Sequence, residues 1–282
     1  ATRNPRISIT FCGATCGNET NKMKAHQRVI REKEAENEST KTLFGAYWDG
    51  LNLSLRDATV QPIDYRTAST IILQYEWLGT MGTTEFAYGM YFDGTLGGVV
   101  CFGRTAGTNV YKSAFPDSYD SVITLNRGAC AHWTPLGSAS KLISKACNMM
   151  RANGYNAFIS YADSQAGEIG TVYQACNWLF CGQTSPTEQF KTPDGRVRDA
   201  RLVHAYTRDR RFGTLRYKRS RKEQKQLMID AGAQFFKGHA KGRYVGIYGS
   251  HKQKRKLMDE LRWDSQGYPK RGIPEPPVPH SS

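Results

Sequence analysis

His132-Trp133-Thr134-Pro135-Leu136-Gly137-Ser138-Ala139-Ser140 decides the fold, because this short turn joins a strand directly to a helix. Upstream, residues 121–131 have the apolar, β-branched character of a strand. Downstream, Leu142, Ile143, Ala146, Met149 and Met150 recur at helical spacing over 138–151, and Asn153-Gly154 stops the helix. A turn that opens straight into a helix offers free backbone N–H groups and the positive end of the helix dipole, which suits a pyrophosphate or another anion. Gly137 and Ala139 permit close approach, and the hydroxyls of Ser138 and Ser140 add donors. A serine-rich cap on an ordinary helix has the same composition.

Working outward, Ala157-Phe158-Ile159-Ser160-Tyr161-Ala162 is almost wholly apolar and predicts a buried strand. A short helix near 170–177 and a strand over 178–182 follow it. On the other side, 56–63 is extended and leads to a helix with Ala68, Ile71, Ile72 and Tyr75 on one face, capped by Asp64. The runs 88–92 and 97–102 flank Asp93-Gly94, a strong hairpin signal. With a further strand at 200–206, the pattern predicts an α/β (α+β) domain, a mixed central sheet flanked by helices with a crossover at its centre.

Residues 1–54 form an N-terminal extension whose charged stretch, 18–38, carries only Met23, Val29 and Ile30 as an apolar stripe. Cys12, Cys16 and His26 are metal-ligating types, but a structural zinc site needs a fourth ligand and none stands nearby. The catalytic domain spans 55–206, a basic segment packed on it 207–268, and a proline-rich tail 269–282. Within the basic segment, Ser220-Arg221-Lys222-Glu223 is a capping box for a helix to 231 stopped by Gly232. A strand at 243–248 and a basic helix at 250–262 follow.

The net charge of +14 is concentrated at one end. Residues 1–190 carry 16 Lys+Arg and 16 Asp+Glu, whereas residues 191–282 carry 23 and 9. The densest groups are Arg208, Arg210, Arg211, Arg216, Lys218, Arg219 and Arg221, then Lys252, Lys254 and Arg255. Such clusters release counterions when they meet phosphates, so DNA is the expected partner; a solvated basic face is the plainer alternative. No run of about 18 apolar residues is present and the first residues lack the apolar stretch of a secretory signal, which predicts a cytoplasmic protein without a membrane partner. Five of the seven cysteines fall in apolar segments, as in a reducing compartment.

The succession of strand, anion-binding turn, helix, buried strand, short helix with Tyr173 and closing strand resembles the core of the GNAT acyltransferase superfamily. That resemblance implies an acyl donor such as acetyl-CoA, or an aminoacyl donor, at the turn. The superfamily turn carries Arg or Gln, two residues, Gly, one residue, then Gly or Ala; here Thr134 stands first, while Gly137 and Ala139 match. It also implies a tyrosine acid for the leaving group, a place that Tyr173 fills, although a core aromatic fits there as well. Ser160-Tyr161-Ala162-Asp163, Gly167-Glu168-Ile169-Gly170-Thr171-Val172-Tyr173-Gln174-Ala175-Cys176-Asn177-Trp178, Arg243-Tyr244-Val245 and Tyr268-Pro269-Lys270 are similar to the Mom-like DNA-modification proteins of bacteriophages. This resemblance implies modification of adenine in phage DNA to block restriction. Iron has been linked to the family site, but the histidines of that site are replaced here by Glu76 and Glu168.

Three carboxylates, Glu76, Asp163 and Glu168, stand in apolar or glycine-rich surroundings. Asp163 ends the buried strand, where open α/β sheets place ligands; it either handles the proton of an acceptor amine or caps the next turn. Arg127 and His132 are expected to face the same crevice and help bind the donor. The expected activity is transfer of an acyl- or aminoacyl-derived group to an exocyclic amine of a DNA base, with tRNA a possible donor. The alternatives are an acyltransferase acting on RNA, aminoacyl-tRNA or protein, and a nucleic-acid-binding protein without catalysis.

Overall fold

Alternating side chains along the first strands make two apolar sheet faces, and each is closed by a helix. The structure, a computed structural model, describes residues 24–36, 53–105, 109–193, 195, 197–200, 203 and 220–271. After helix α1 (His26–Glu36), strand β1 (Thr59–Ile63) leads into α2 (Tyr65–Tyr75), capped as expected by the Asp64 side chain on Thr67 N. Strands β2 (Phe86–Phe92), β3 (Thr95–Gly103) and β4 (Val122–Cys130) extend β1 into an antiparallel meander, with α3 (Asn109–Ala114) between β3 and β4. Asp93 and Gly94 both have positive φ, 46° and 76°, which is what a two-residue hairpin of matching twist requires.

Helix α4 (Ser138–Met150) then carries the chain to β5 (Ala157–Asp163), which lies parallel to β4. The two pair only where Val122, Ile123 and Thr124 face Ala157, Phe158 and Ile159. Beyond that point β4 stays paired to β3 as far as Cys130, while β5 continues on its other side to Asp163. The sheet therefore splits, and a cleft opens beyond Leu125 and Ser160, which the serine hydroxyl still joins. Next come α5 (Thr171–Ala175) and β6 (Leu179–Gln183). The strand at the centre of the second half is β10 (Lys241–Ile247), antiparallel to both β5 and β6, giving the order β1-β2-β3-β4-β5-β10-β6.

This mixed sheet flanked by helices is the fold class expected from the sequence. Tyr88, Phe102, Leu142, Met150, Phe158 and Trp178 fill the α4 face. Ala68, Ile72, Val99 and Cys101 fill the face under α2, and Tyr111, Phe115, Ile159, Val245 and Leu257 the face under α3 and α7 (His251–Glu260).

A boundary at residue 206 does not divide the sheet, because β10 comes from the segment read as a basic extension. Sequence order hides this: β10 pairs with β5, whose residues lie about eighty positions earlier. Between β6 and β10 sits a second, three-stranded sheet, β8-β7-β9, which the sequence did not announce. It comprises β7 (Glu188–Lys191), β8 (Val197–Asp199) and β9 (Gln234–Lys237), with α6 (Arg221–Asp230) opened by the expected Ser220–Glu223 capping box. The strand expected at 200–206 lies outside the described residues apart from Ala200 and Val203, neither of which is extended.

Candidate active site

The cleft between β4 and β5 gathers the charged residues of the first sheet at its mouth. Glu76, the C-terminal cap of α2, accepts from Leu78 N at 2.8 Å and lies 3.7 Å from the Arg127 guanidinium of β4. Burial raises its pKa, against the opposing pull of Arg127. Arg127 in turn donates from Nε to Thr80 O at 2.6 Å and from a terminal nitrogen to Thr80 Oγ1 at 3.1 Å, so it pins the segment after α2 to the sheet.

Asp163 closes β5 with both oxygens engaged. Oδ1 accepts from Gln165 N at 3.0 Å, capping the next turn, and Oδ2 meets Lys241 Nζ at 2.8 Å. The antiparallel register of β5 and β10 sets Lys241 directly opposite Asp163. Glu168 lies just beyond, its backbone N–H donating to Asp163 O at 3.2 Å, and its carboxylate, unlike that of Asp163, has no hydrogen-bond partner among the described residues. Burial lifts its pKa to about 7, helped by the negative charges of Glu76 and Asp163 and opposed by Arg271. A carboxyl poised near neutrality is the state that proton transfer at pH 7 calls for.

Tyr173 lies at the floor of the cleft, stacked on Trp178 and tilted against Tyr244, with ring centroids 5.2 Å from each. Ser160 Oγ is 2.9 Å from the Leu125 carbonyl and 2.7 Å from the Tyr173 oxygen. A carbonyl can only accept, so with the serine proton on Leu125 the phenol donates to Ser160. Burial raises the Tyr173 pKa, and the charge of Glu168 adds to it. Tyr173 thus serves the closure of the β4–β5 junction as well as facing the cleft. Tyr173→Phe should lower thermal stability by about 1 kcal/mol, the size of one buried hydrogen bond, and turnover less than tenfold; a loss of several hundredfold in kcat from a well-folded variant would return the acid role to it.

At the turn expected to bind the donor, Gly137 adopts φ 88°, so the glycine is required by the backbone. The N–H groups of Ala139 and Ser140 have no partner among the described residues and point out of the start of α4. The hydroxyls are turned inward instead: Ser138 Oγ donates to Pro135 O at 2.6 Å and Ser140 Oγ to Gly137 O at 3.0 Å. Thr134, buried, is held by Arg31 of α1, whose two terminal nitrogens donate at 3.1 Å to its carbonyl and to Oγ1. The groups this turn offers to an anion are therefore backbone amides rather than hydroxyls.

The side chains of Arg127 and His132 are engaged away from the start of α4. Arg127 belongs to the Glu76 group, and His132 packs on α2, its Nδ1 3.3 Å from the Tyr75 hydroxyl. Arg208, Arg210, Arg211, Arg216, Lys218 and Arg219 lie outside the described residues, as do Cys12 and Cys16. His26 stands edge-on to Trp77 at 5.3 Å. Arg221, Lys252, Lys254 and Arg255 are exposed, the last three on α7, which is anchored by Leu257. Among the described residues no three His, Cys, Asp or Glu side chains converge as a metal site. The donor set among the described residues does not suit iron either, since no histidine among them lies in the cleft and the carboxylates Glu76 and Asp163 already face Arg127 and Lys241. Lys241, Arg271 and Ser160 are the cleft residues that sequence reasoning missed; a lysine in a basic segment gives no local sign of a partner on another strand.

No helix among the described residues is long and apolar enough to cross a membrane. No curated protein sequence matches the chain. Solved structures to which the chain is similar include an N-acetyltransferase from Staphylococcus aureus Mu50, at 12% identity over 67% of this chain and 98% of that one, TM-score 0.37. A Bacillus subtilis acetyltransferase in complex with CoA matches at 9% identity, over 68% and 98%, with a TM-score of 0.35. A GNAT family acetyltransferase from Elizabethkingia anophelis with acetyl-CoA bound matches at 8%, over 68% and 98%, with a TM-score of 0.34. Agreement with a family model is more extensive, running over residues 57–270 and so taking in every strand of both sheets together with Glu76, Arg127, Asp163, Glu168 and Lys241. The chain belongs to the Mom protein family.

Proposed function

We propose that the chain transfers an acyl- or aminoacyl-derived group to an exocyclic amine of a DNA base, adenine first, in the cleft between β4 and β5. The observation that carries this reading is the meeting of Glu76, Asp163 and Glu168 with Arg127 and Lys241 at the mouth of that cleft. The donor, acetyl-CoA or another acyl or aminoacyl carrier, supplies the electrophilic carbonyl. Its anionic portion is held by the amides of Ala139 and Ser140 at the start of α4. The base must leave the duplex stack to present its amine to the cleft.

As the amine nitrogen bonds to the donor carbonyl, its proton passes to the Glu168 carboxylate, and the donor's leaving group departs as the carbonyl reforms. Glu168 suits this role better than Asp163, whose oxygens are committed to Gln165 N and Lys241. Asp163 positions instead, by holding Lys241 and the turn that carries Glu168. Asp163→Asn keeps the turn cap and loses the ion pair and one of the charges that raise Glu168, so kcat should fall about tenfold and the inflection of the pH profile should move to lower pH; a fall beyond a thousandfold would make Asp163 the base.

The decisive experiment is mass analysis of nucleosides from DNA of cells expressing the chain. A mass-shifted deoxyadenosine is the expected result. Unmodified DNA alongside acylated RNA or protein would move the acceptor to that class, and no acylation of any of them would overturn the enzymatic reading.

A further inference from the structure

Helix α7 is fastened to the sheet on one side and lined with positive charge on the other. Leu257 packs in one buried cluster with Ile159 of β5 and Val245 of β10. Glu260 accepts from the backbone N–H groups of Asp117 and Ser118 at 2.8 and 2.7 Å and from the Ser118 hydroxyl at 2.6 Å, while Arg262 N donates to Ala114 O at 3.0 Å. A capping box of Ser250 and Gln253 closes the other end. The helix is therefore a fixed platform. At about 100° per residue, Lys252, Arg255 and Lys256 fall together on the side away from Leu257. Asp259 follows on that side one turn later, so the positive surface is confined to the first two turns.

These charges run against the helix that carries them. Lys252, Lys254, Arg255 and Lys256 all precede Leu257, whereas Asp259 and Glu260 follow it, so the first turn holds no acid and the last no base. That order opposes the helix dipole. All four cations are exposed, and the side chains of Lys252, Lys254 and Arg255 make no hydrogen bond or ion pair among the described residues. The fold gains nothing from their placement. Pleating relates them to the cleft, because Ile159, Tyr161 and Asp163 of β5 share one sheet face with Val245, Arg243 and Lys241 of β10. Leu257 rests on that face, and the ring of Trp263, just past α7, lies 3.9 Å from the Arg243 guanidinium. The Asp163–Lys241 pair is thus on the α7 face, about 13 Å along β10 from Val245. Leu142 and Ile143 of α4 pack on the opposite face, with Phe158 and Tyr244.

Fixed cations that the fold does not need, on the face that carries the charges of the cleft mouth, fit the phosphates of a duplex. We propose that α7 is the docking helix for duplex DNA, with Lys252, Arg255 and Lys256 on phosphates that flank the target base. The duplex approaches from the α7 face, while the donor is held at the start of α4, the helix on the other. This rests on DNA being the acceptor. A span of about 13 Å is roughly four base-pair steps, so one bound duplex reaches both α7 and the mouth. Extrusion of a base needs its flanking backbone held at such a distance from the site that receives it.

The test uses the full chain, without donor, and fluorescence anisotropy of a labelled DNA duplex over a range of salt. Lys252→Gln, Arg255→Gln and Lys256→Gln together should weaken binding on the order of thirtyfold at low salt and make the slope of log K against log salt shallower by about three, as for three lost phosphate contacts. Lys252→Arg, Arg255→Lys and Lys256→Arg together keep the charges and should keep the slope, even if packing is disturbed. Lys145→Gln with Arg151→Gln removes two exposed cations at and just after α4 and should leave both affinity and slope alone. The glutamine variant of α7 should melt no lower than the parent, since the cations it loses oppose the helix dipole. A parental slope in that variant would overturn the docking helix, as would an equal loss per charge from Lys145 and Arg151, or tighter binding of an RNA duplex of the same sequence. Because no donor is present, the result is separate from the chemistry: α7-dependent DNA binding with unmodified DNA in cells would sink the proposed reaction and leave the docking helix standing.

Discussion

Glu168→Gln is expected to lower kcat between a hundredfold and ten-thousandfold, about the range spanned by removal of a general base, with DNA binding unaffected. The parent rate should rise with pH through about 7, the value to which burial and the neighbouring carboxylates lift Glu168, and then level; in the variant that inflection should vanish. Stability gives an independent readout. A carboxyl raised from an ordinary 4.5 to about 7 holds more protons in the folded state than in the unfolded state between those values. Folding stability from this group therefore falls as pH rises across that window and is flat above it. Glutamine has no charge to desolvate, so at pH 8 the variant should melt higher than the parent while being nearly inactive. A structural role for Glu168 would instead show as a lower melting temperature, and a normal rate with an intact pH inflection would remove it from the chemistry.

Gly170→Ala is expected to destabilise the protein by about 3 kcal/mol, the sum of overpacking and of a left-handed conformation imposed on an L-residue. Gly170 has φ 74°, and a Cβ there would lie 2.2 Å from Tyr244 Cε2 and 2.4 Å from Cζ. The ring cannot easily retreat. Tyr244 is buried in β10, its hydroxyl donates to Ile169 O at 2.5 Å, and Gln174 Nε2 donates to both Ile169 O at 3.0 Å and the Tyr244 oxygen at 3.1 Å. These contacts hold the Glu168-Ile169-Gly170 turn against the sheet, so the substitution should displace Glu168 and lower activity together with stability. Urea denaturation measures the first and turnover the second. A denaturation midpoint equal to the parent's would show that the turn and ring yield without cost, and that Glu168 is held by something else.

The Gly167-Glu168-Ile169-Gly170 and Arg243-Tyr244-Val245 sequences acquire their reasons from this same packing. Gly170 makes room for Tyr244. Arg243 donates to Cys181 O at 3.1 and 2.8 Å and lies 3.9 Å above the Trp263 ring, tying the strand to its neighbour. Words that look like site motifs in the sequence are, in part, instructions for holding β10 between β5 and β6.

The sequence by itself determined what depends on near neighbours. The hairpin at Asp93-Gly94, the Asp64 and Ser220 caps, the start of α4 at Gly137 and the buried strand β5 were all legible, because turn geometry, capping and periodic burial act within a few residues. The three carboxylates were legible as candidates for the same reason. Tertiary structure alone decided how they are partnered, since Asp163 meets Lys241 and Glu76 meets Arg127, residues brought from other strands. It also decided where β10 belongs, so that part of the segment read as basic supplies a strand between β5 and β6. Pairing of β10 with β5 rests on backbone hydrogen bonds and on cores filled by Tyr244 and Val245, contacts between residues about eighty positions apart, and local residue patterns carry no trace of such long-range partners.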